Sequence, residues 1–420
     1  MTSFIGWLDY SEVERRQVQE MLQLFRDKGT VDDLGIGTLR DAISNRLFPG
    51  TSVIQTRARY FLFVPWIFQR AEGSRRGDVL ARAEAMERNL IGALLRSDDL
   101  DGLIGRQAGK DVRNLPSAIY WTGLAAYDIF RQAPLTRAQY DRAARTPRSS
   151  AEQDDELAER AVGFWRQGIP EPPDDFFDFD VASFAMTRDE AGWLSERVLS
   201  TEVSRGPNLL SAYVSQLCRR PGAPAGVFWE EPLPASCDAE TTALVAHAER
   251  FSSAMQGAAL LYNLMLAEER GDEARGDAEY AAEMRAALAE WADDASVAGT
   301  ADWGADLRPF RDLFTDRFRR SSSGAWAFVA DWCQILSRHP LDDLAGNKAA
   351  RTLVRDRELR HKRAQARFGN KARLRSWEGE SGTARLEFRW SQVRRFLTDL
   401  SRGLHGAAPA NGREVTGAAH

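Results

Sequence analysis

Leu244, Ala248, Phe251, Met255, Ala258, Tyr262 and Met265 are spaced alternately four and three residues apart. On a helix this alternation puts every one of them on a single seam. It predicts one long helix over about 240–269, with three heptad repeats of apolar residues that must be covered. Neighbouring helices of the same chain can cover them, which makes this the central core helix. The alternative is a coiled coil with a second chain.

Helical period dominates elsewhere. Ser11 and Glu14 form a capping box, with Val18, Met21, Leu22 and Phe25 on one face behind it and Gly29 as the stop. A helix is predicted near 38–48, ended by Pro49-Gly50, and another from Thr51 or Ser52 toward Phe68. Further helices are expected near 78–96, 117–131, 136–145 and 153–166. Thr187 and Glu190 make a second capping box for a helix to about Leu199. After the long helix, others are expected near 277–293, 306–319 and 324–338. Strand signals are scarce, the best being Ala384–Phe388.

The expected fold is therefore mainly α, a multi-helix protein of two helical bundles with little or no β-sheet. A single core stops growing near about 250–300 residues, and this chain has 420. Proline-rich stretches at 168–182 and 220–238 suggest the divisions. The reading is an N-terminal helical domain over 1–170, linkers carrying two helices over 171–238, a C-terminal helical domain over 239–404, and a disordered tail over 405–420.

Three widely spaced cysteines, Cys218, Cys237 and Cys333, argue against a disulfide framework and fit a reducing compartment. The most apolar run, Phe61–Phe68, is eight residues long and contains a proline. A membrane-spanning helix needs about 20. Residues 1–16 lack the charged-then-apolar pattern of a leader. The expectation is a cytoplasmic protein with no membrane contact.

Catalytic and cofactor motifs are missing. The five histidines are scattered, without HExxH, and neither a P-loop nor a GxSxG elbow occurs. No cofactor or metal is expected. Gly35-Ile36-Gly37 lacks the third glycine of a dinucleotide-binding turn and reads as a turn into a helix capped by Thr38. Carboxylates cluster at Asp98-Asp99-Asp101, at Asp174-Asp175-Asp178-Asp180 and at Glu268-Glu269-Asp272. Their places in loops and at helix ends fit solvated surface better than a metal site.

Charge is distributed unevenly. Residues 348–402 hold sixteen Lys and Arg against six Asp and Glu, a net charge of +10. The whole chain carries −5, which leaves −15 for the other 365 residues. On a helix over about 347–367, Arg360, Arg363 and Arg367 would share a face, and Lys348, Arg351 and Arg355 would form a second stripe. With Lys371, Arg373 and Arg375 they supply cations for phosphates, and Trp377 a ring to stack a base. The bland alternative is that these cations pair with acidic surface, of this chain or of a protein partner. A second candidate is a helix–turn–helix in which Gln55 and Arg59 read bases. The apolar run that follows favours a buried helical hairpin.

The segments GWLDY (6–10), DLGIGTLRDA (33–42), LFPGTSVIQTRARYFLFVPWI (47–67), GAALLYNLMLAE (257–268) and GNKARLRSWEGESGTARLEFRW (369–390) resemble a bacterial family, domain of unknown function 6361. The resemblance spans about residues 4–404 and implies no catalytic residues. It implies accessory proteins encoded beside helicase and phospholipase D-like genes in mobile or phage-defence loci. Three readings follow: an accessory protein binding nucleic acid, and a partner enzyme, through charged surfaces; an unrecognised nuclease or nucleotide-processing enzyme; or a structural scaffold.

Overall fold

The computed structural model describes residues 32–73, 78–131, 135–145, 163–271, 277–297, 299–377, 379 and 382–406. The capping box at Ser11–Glu14, most of the helix expected over 153–166, and the tail beyond residue 406 lie outside them. The main helices are α1 (Gly37–Leu47), α2 (Tyr60–Glu72), α3 (Val79–Leu94), α4 (Pro116–Ala126), α5 (Arg137–Arg145), α6 (Arg188–Leu199) and α7 (Leu209–Leu217). They continue as α8 (Ala239–Arg270), α9 (Asp277–Val297), α10 (Ser323–Arg338), α11 (Lys348–Lys362) and α12 (Trp390–His405). Among the described residues there is no strand, only an isolated bridge between Phe130 and Trp165. The protein is mainly α, as its sequence predicts. No described helix is long and apolar enough to cross a membrane.

The chain forms two compact units, each built from separate stretches. One combines Met1–Ala42 with Ala246–Leu386, the other Ile43–Val245 with Glu387–His420. These units are interleaved along the sequence, whereas the sequence reading divides it consecutively at 170 and 238.

In the first unit α8 carries the core. All seven seam residues of α8 are buried, the six from Ala248 to Met265 in this unit, and so are Leu260, Leu261, Leu264 and Leu266 on its other sides. A helix buried all round is a central helix, so no side of the seam is left open for a coiled-coil partner. Trp291 of α9 donates its indole N–H to the Ser253 carbonyl at 2.8 Å, and Trp332 of α10 donates to Ala254 at 2.8 Å. Gly257 permits this approach, because a Cβ there would fall 2.3 Å from the Trp291 ring. The helix expected over 306–319 is two short ones, Arg308–Asp312 and Asp316–Ser321, with Thr315 capping the second.

In the second unit α2 plays the same part: Tyr60–Val64 and Trp66–Phe68 are all buried. It begins at Tyr60 and not at Thr51 or Ser52. The preceding amides find partners that no helix provides. Thr56 and Arg57 donate their backbone N–H to the Tyr120 hydroxyl at 2.8 and 3.0 Å, and Ala58 donates to Asp399 at 2.9 Å. Backbone donors satisfied this way need no helical carbonyl. The 168–182 stretch is anchored where Trp66 donates to the Pro170 carbonyl and Phe176 stacks on Phe63. The Thr187–Glu190 capping box opens α6 as predicted. Residues 163–166 are not helical, because Trp165 bridges to Phe130, and Ala384–Phe388 forms no strand.

This unit holds one carboxylate in a demanding place. Glu87 of α3 is fully buried and accepts from the backbone N–H and the hydroxyl of Ser117 at 2.6 and 2.8 Å. Burial pushes its carboxyl up to about 7 despite those bonds. The native state therefore holds the proton more tightly than the unfolded chain does. Stability contributed below the ordinary carboxylate pKa is lost as pH rises through about 7. Glu87→Gln should flatten that decline. Melting temperatures at about pH 5 and about pH 8 check it; a variant whose decline matches the wild type's would show that Glu87 is not its source.

Candidate nucleic-acid interface

The acid clusters serve as structural partners where they are paired at all. Asp99 and Asp101 pair with Arg57 and Arg395, and Glu268 and Glu269 with Arg351 and Arg355. Among the described residues no group of three or more His, Cys, Asp or Glu could hold a metal ion. His247 accepts the Trp303 indole N–H on Nδ1 at 2.9 Å and stacks on Phe310. Burial, then the nearby Arg250 charge, holds its pKa below the ordinary value, as an acceptor role requires. A small cavity lies among Gln55, Thr56, Arg57, Tyr120 and Phe396. The Arg57 guanidinium there is committed to Asp399, Asp99 and the Asp101 carbonyl. Neither base-reading candidate of the N-terminal hairpin is available. Gln55 bonds the Gly50 carbonyl and the Ser52 N–H, and Arg59 bonds Glu190 and the Ser183 carbonyl, both side chains being buried.

The basic segment divides into inward and outward cations. Asn347 caps α11 by accepting from Ala350 N–H at 3.0 Å. Arg351 pairs with Glu268, and Arg355 pairs with Glu269 while lying over the Phe368 ring. Arg357 donates to the carbonyls of Leu34, Gly35 and Gly324. Lys362 and Arg367 both reach the buried Asp33, and Arg367 also donates to the Tyr262 hydroxyl at 2.7 Å. The turn before α1 is held by Asp32, which accepts from the N–H of Ile36 and Gly37 at 2.7 and 2.9 Å. Asp32 thus does what the sequence reading gives to Thr38.

Arg360, Arg363 and Arg367 do not share a helix face. The helix stops at Lys362, and Arg363 takes φ 52° and ψ −122°. Glu358 turns the chain back, its carboxylate accepting from Arg367 N–H at 2.9 Å and Phe368 N–H at 3.1 Å. Phe368 is buried against Tyr262, and Gly369 N–H bonds Glu269 at 2.6 Å. Arg367 is thereby drawn inward. Trp377 is 3% exposed, under the Arg270 guanidinium and edge-on to Tyr280, so it has no open face for a base.

Between residues 360 and 375 the exposed cations are Arg360, Arg363, Lys371, Arg373 and Arg375, the last three on the short helix Lys371–Arg375 capped by Asn370. Arg360 donates only to its own helix, at the Asp356 carbonyl, and the side chains of Arg363 and Arg373 have no carboxylate partner among the described residues. No Asp or Glu occurs from 359 to 377. The conformation of Arg363 belongs to the first central residue of a II′ turn, a place that glycine dominates. In a non-glycine residue it costs roughly 1–3 kcal/mol.

Sequence reasoning missed the anchors Asp33, Glu269 and Glu358. For Glu358 a signal existed: Ala350, Val354 and Glu358 are spaced by four and all are buried, which puts that carboxylate on the apolar face of α11.

These features define a helical protein of two units, with a segment of outward arginines and no metal centre among its described residues. The chain belongs to the family of unknown function DUF6361, whose model matches residues 2–403. No curated protein matches it, and no solved structure matches it.

Proposed function

We propose that the protein is an accessory binding protein that holds the phosphate backbone of nucleic acid on residues 360–373. The observation that carries this reading is the separation of cations within one segment. Arg351, Arg355, Lys362 and Arg367 are paired with carboxylates, while Arg360, Arg363 and Arg373 are exposed without one. Outward guanidiniums without a carboxylate partner are what phosphate contact needs. The strained backbone at Arg363 supports it further, since strain of this kind is retained where a side chain is needed. Lys371 and Arg375 flank the site, and Arg367 and Trp377 leave it.

The test is titration of labelled nucleic acid with the full chain at low salt. Arg360→Glu, Arg363→Glu and Arg373→Glu together should lower affinity by roughly 100-fold or more. The melting temperature should barely change, because exposed charges contribute little to folding. A well-folded wild type that binds no nucleic acid at low salt removes the reading and favours an acidic protein surface as the partner.

Arg363→Gly separates strain from charge. Glycine adopts this conformation freely but loses more entropy on folding, by about 0.5–1 kcal/mol. The net expectation is a gain of about 1 kcal/mol, together with weaker binding. Chemical denaturation and the same titration read the two effects. A variant less stable than wild type would contradict the strain.

A further inference from the structure

Resting on that proposed function, we infer that the ligand is double-stranded, gripped by its phosphate backbone without stacking of bases. Binding of single strands characteristically combines a cationic groove with aromatic rings on which unpaired bases stack. This segment offers the cations and buries its Phe and Trp rings. Its aromatic side chains Phe368 and Trp377 are each 3% exposed. The first is packed against Tyr262 and beneath Arg355, the second beneath Arg270 and beside Tyr280. The one exposed ring of the segment is the imidazole of His361, which lies across Gly35, where a Cβ would come within 2.7 Å of its Nδ1. Among the described residues no Phe, Tyr or Trp is exposed. The large apolar side chain exposed beside the site is Leu359, an aliphatic with no π-face.

What remains is a set of guanidiniums, whose affinity follows phosphate charge density. That density is higher on a duplex than on a single strand, and the salt exponent per contact is correspondingly about −0.9 against about −0.7. Three contacts on a duplex give a slope near −2.7, which is roughly a 40-fold loss of affinity between 50 and 200 mM salt. With no stacking to recover binding, single strands should be weaker by about tenfold or more. Phosphate is common to DNA and RNA duplexes, so the two share the recognised chemistry, and the experiment separates them.

The experiment titrates the full chain with four fluorescent probes of one sequence and length: duplex DNA, duplex RNA, and a single strand of each. Tighter binding of either duplex than of its own single strand, with a salt slope near −2.7, is the expected result. The stronger duplex arm then identifies the helix form. Single strands bound as tightly as duplexes, or more tightly, would overturn this inference while leaving nucleic-acid binding in place. Binding of none of the four overturns the inference together with the function on which it rests.

Discussion

Asp399→Ala should destabilise the unit that contains it by about 3–5 kcal/mol, the cost of breaking a buried ion pair from one side. Asp399 is 5% exposed and Arg57 is 6% exposed. Both carboxylate oxygens accept from Arg57 Nε, at 3.1 and 3.0 Å, and one also accepts the Ala58 N–H at 2.9 Å. Burial raises the Asp399 pKa, and the hydrogen bonds and charge of Arg57 oppose the rise. Burial likewise opposes the Arg57 charge, but the bonds to Asp399 and Asp99 outweigh it and hold that pKa above its ordinary value. The two directions disagree about which form the pair prefers. We take the ionised pair, because a guanidinium facing two carboxylates stays charged at neutral pH. Removing Asp399 leaves a buried cation short of a partner and a backbone N–H with none. Asp99 bonds the same guanidinium at 2.6 Å but is about half exposed. Asp99→Ala should therefore cost less than about 1 kcal/mol. Urea denaturation of both variants makes the comparison. Equal losses would mean that pairing, not burial, sets the cost.

The same pair illustrates what a sequence can disclose. The seam of α8 was legible because helical period is a local property: Leu244 through Met265 carry it without reference to anything distant. The Thr187–Glu190 capping box was legible for the same reason. The start of α2 was not. Residues 51–59 have helix-compatible composition, but their amides are claimed by Tyr120 and by Asp399, which lies more than 300 positions further on. The candidate site divides along the same line. The excess of cations over 348–402 could be counted. Which of them point outward could not, because the deciding partners Asp33, Glu268 and Glu269 are remote in sequence. Trp377 looked like a stacking ring amid polar neighbours, and Arg270 and Tyr280 cover it from across the unit.

Glu358→Ala should be the most damaging single change in the basic segment, lowering the stability of its unit by about 3 kcal/mol or more. The carboxylate is fully buried and accepts three hydrogen bonds, from the Tyr262 hydroxyl at 2.7 Å, Arg367 N–H at 2.9 Å and Phe368 N–H at 3.1 Å. Alanine strands all three donors, and each buried orphan costs about 1–3 kcal/mol. Two of those donors are the backbone groups that turn the chain after Arg363. Their release removes the force that holds Arg363 in its strained conformation. Folding and presentation of the site are thus coupled through one side chain. Glu358→Gln keeps an acceptor oxygen and should recover part of the loss. In conditions where Glu358→Ala is still folded, its affinity for nucleic acid should also fall, although no phosphate-contacting side chain has been altered. Denaturation curves for the two variants, with titrations at the same temperature, decide the matter. A Glu358→Ala protein as stable as wild type would show that the turn is held by the burial of Phe368 alone.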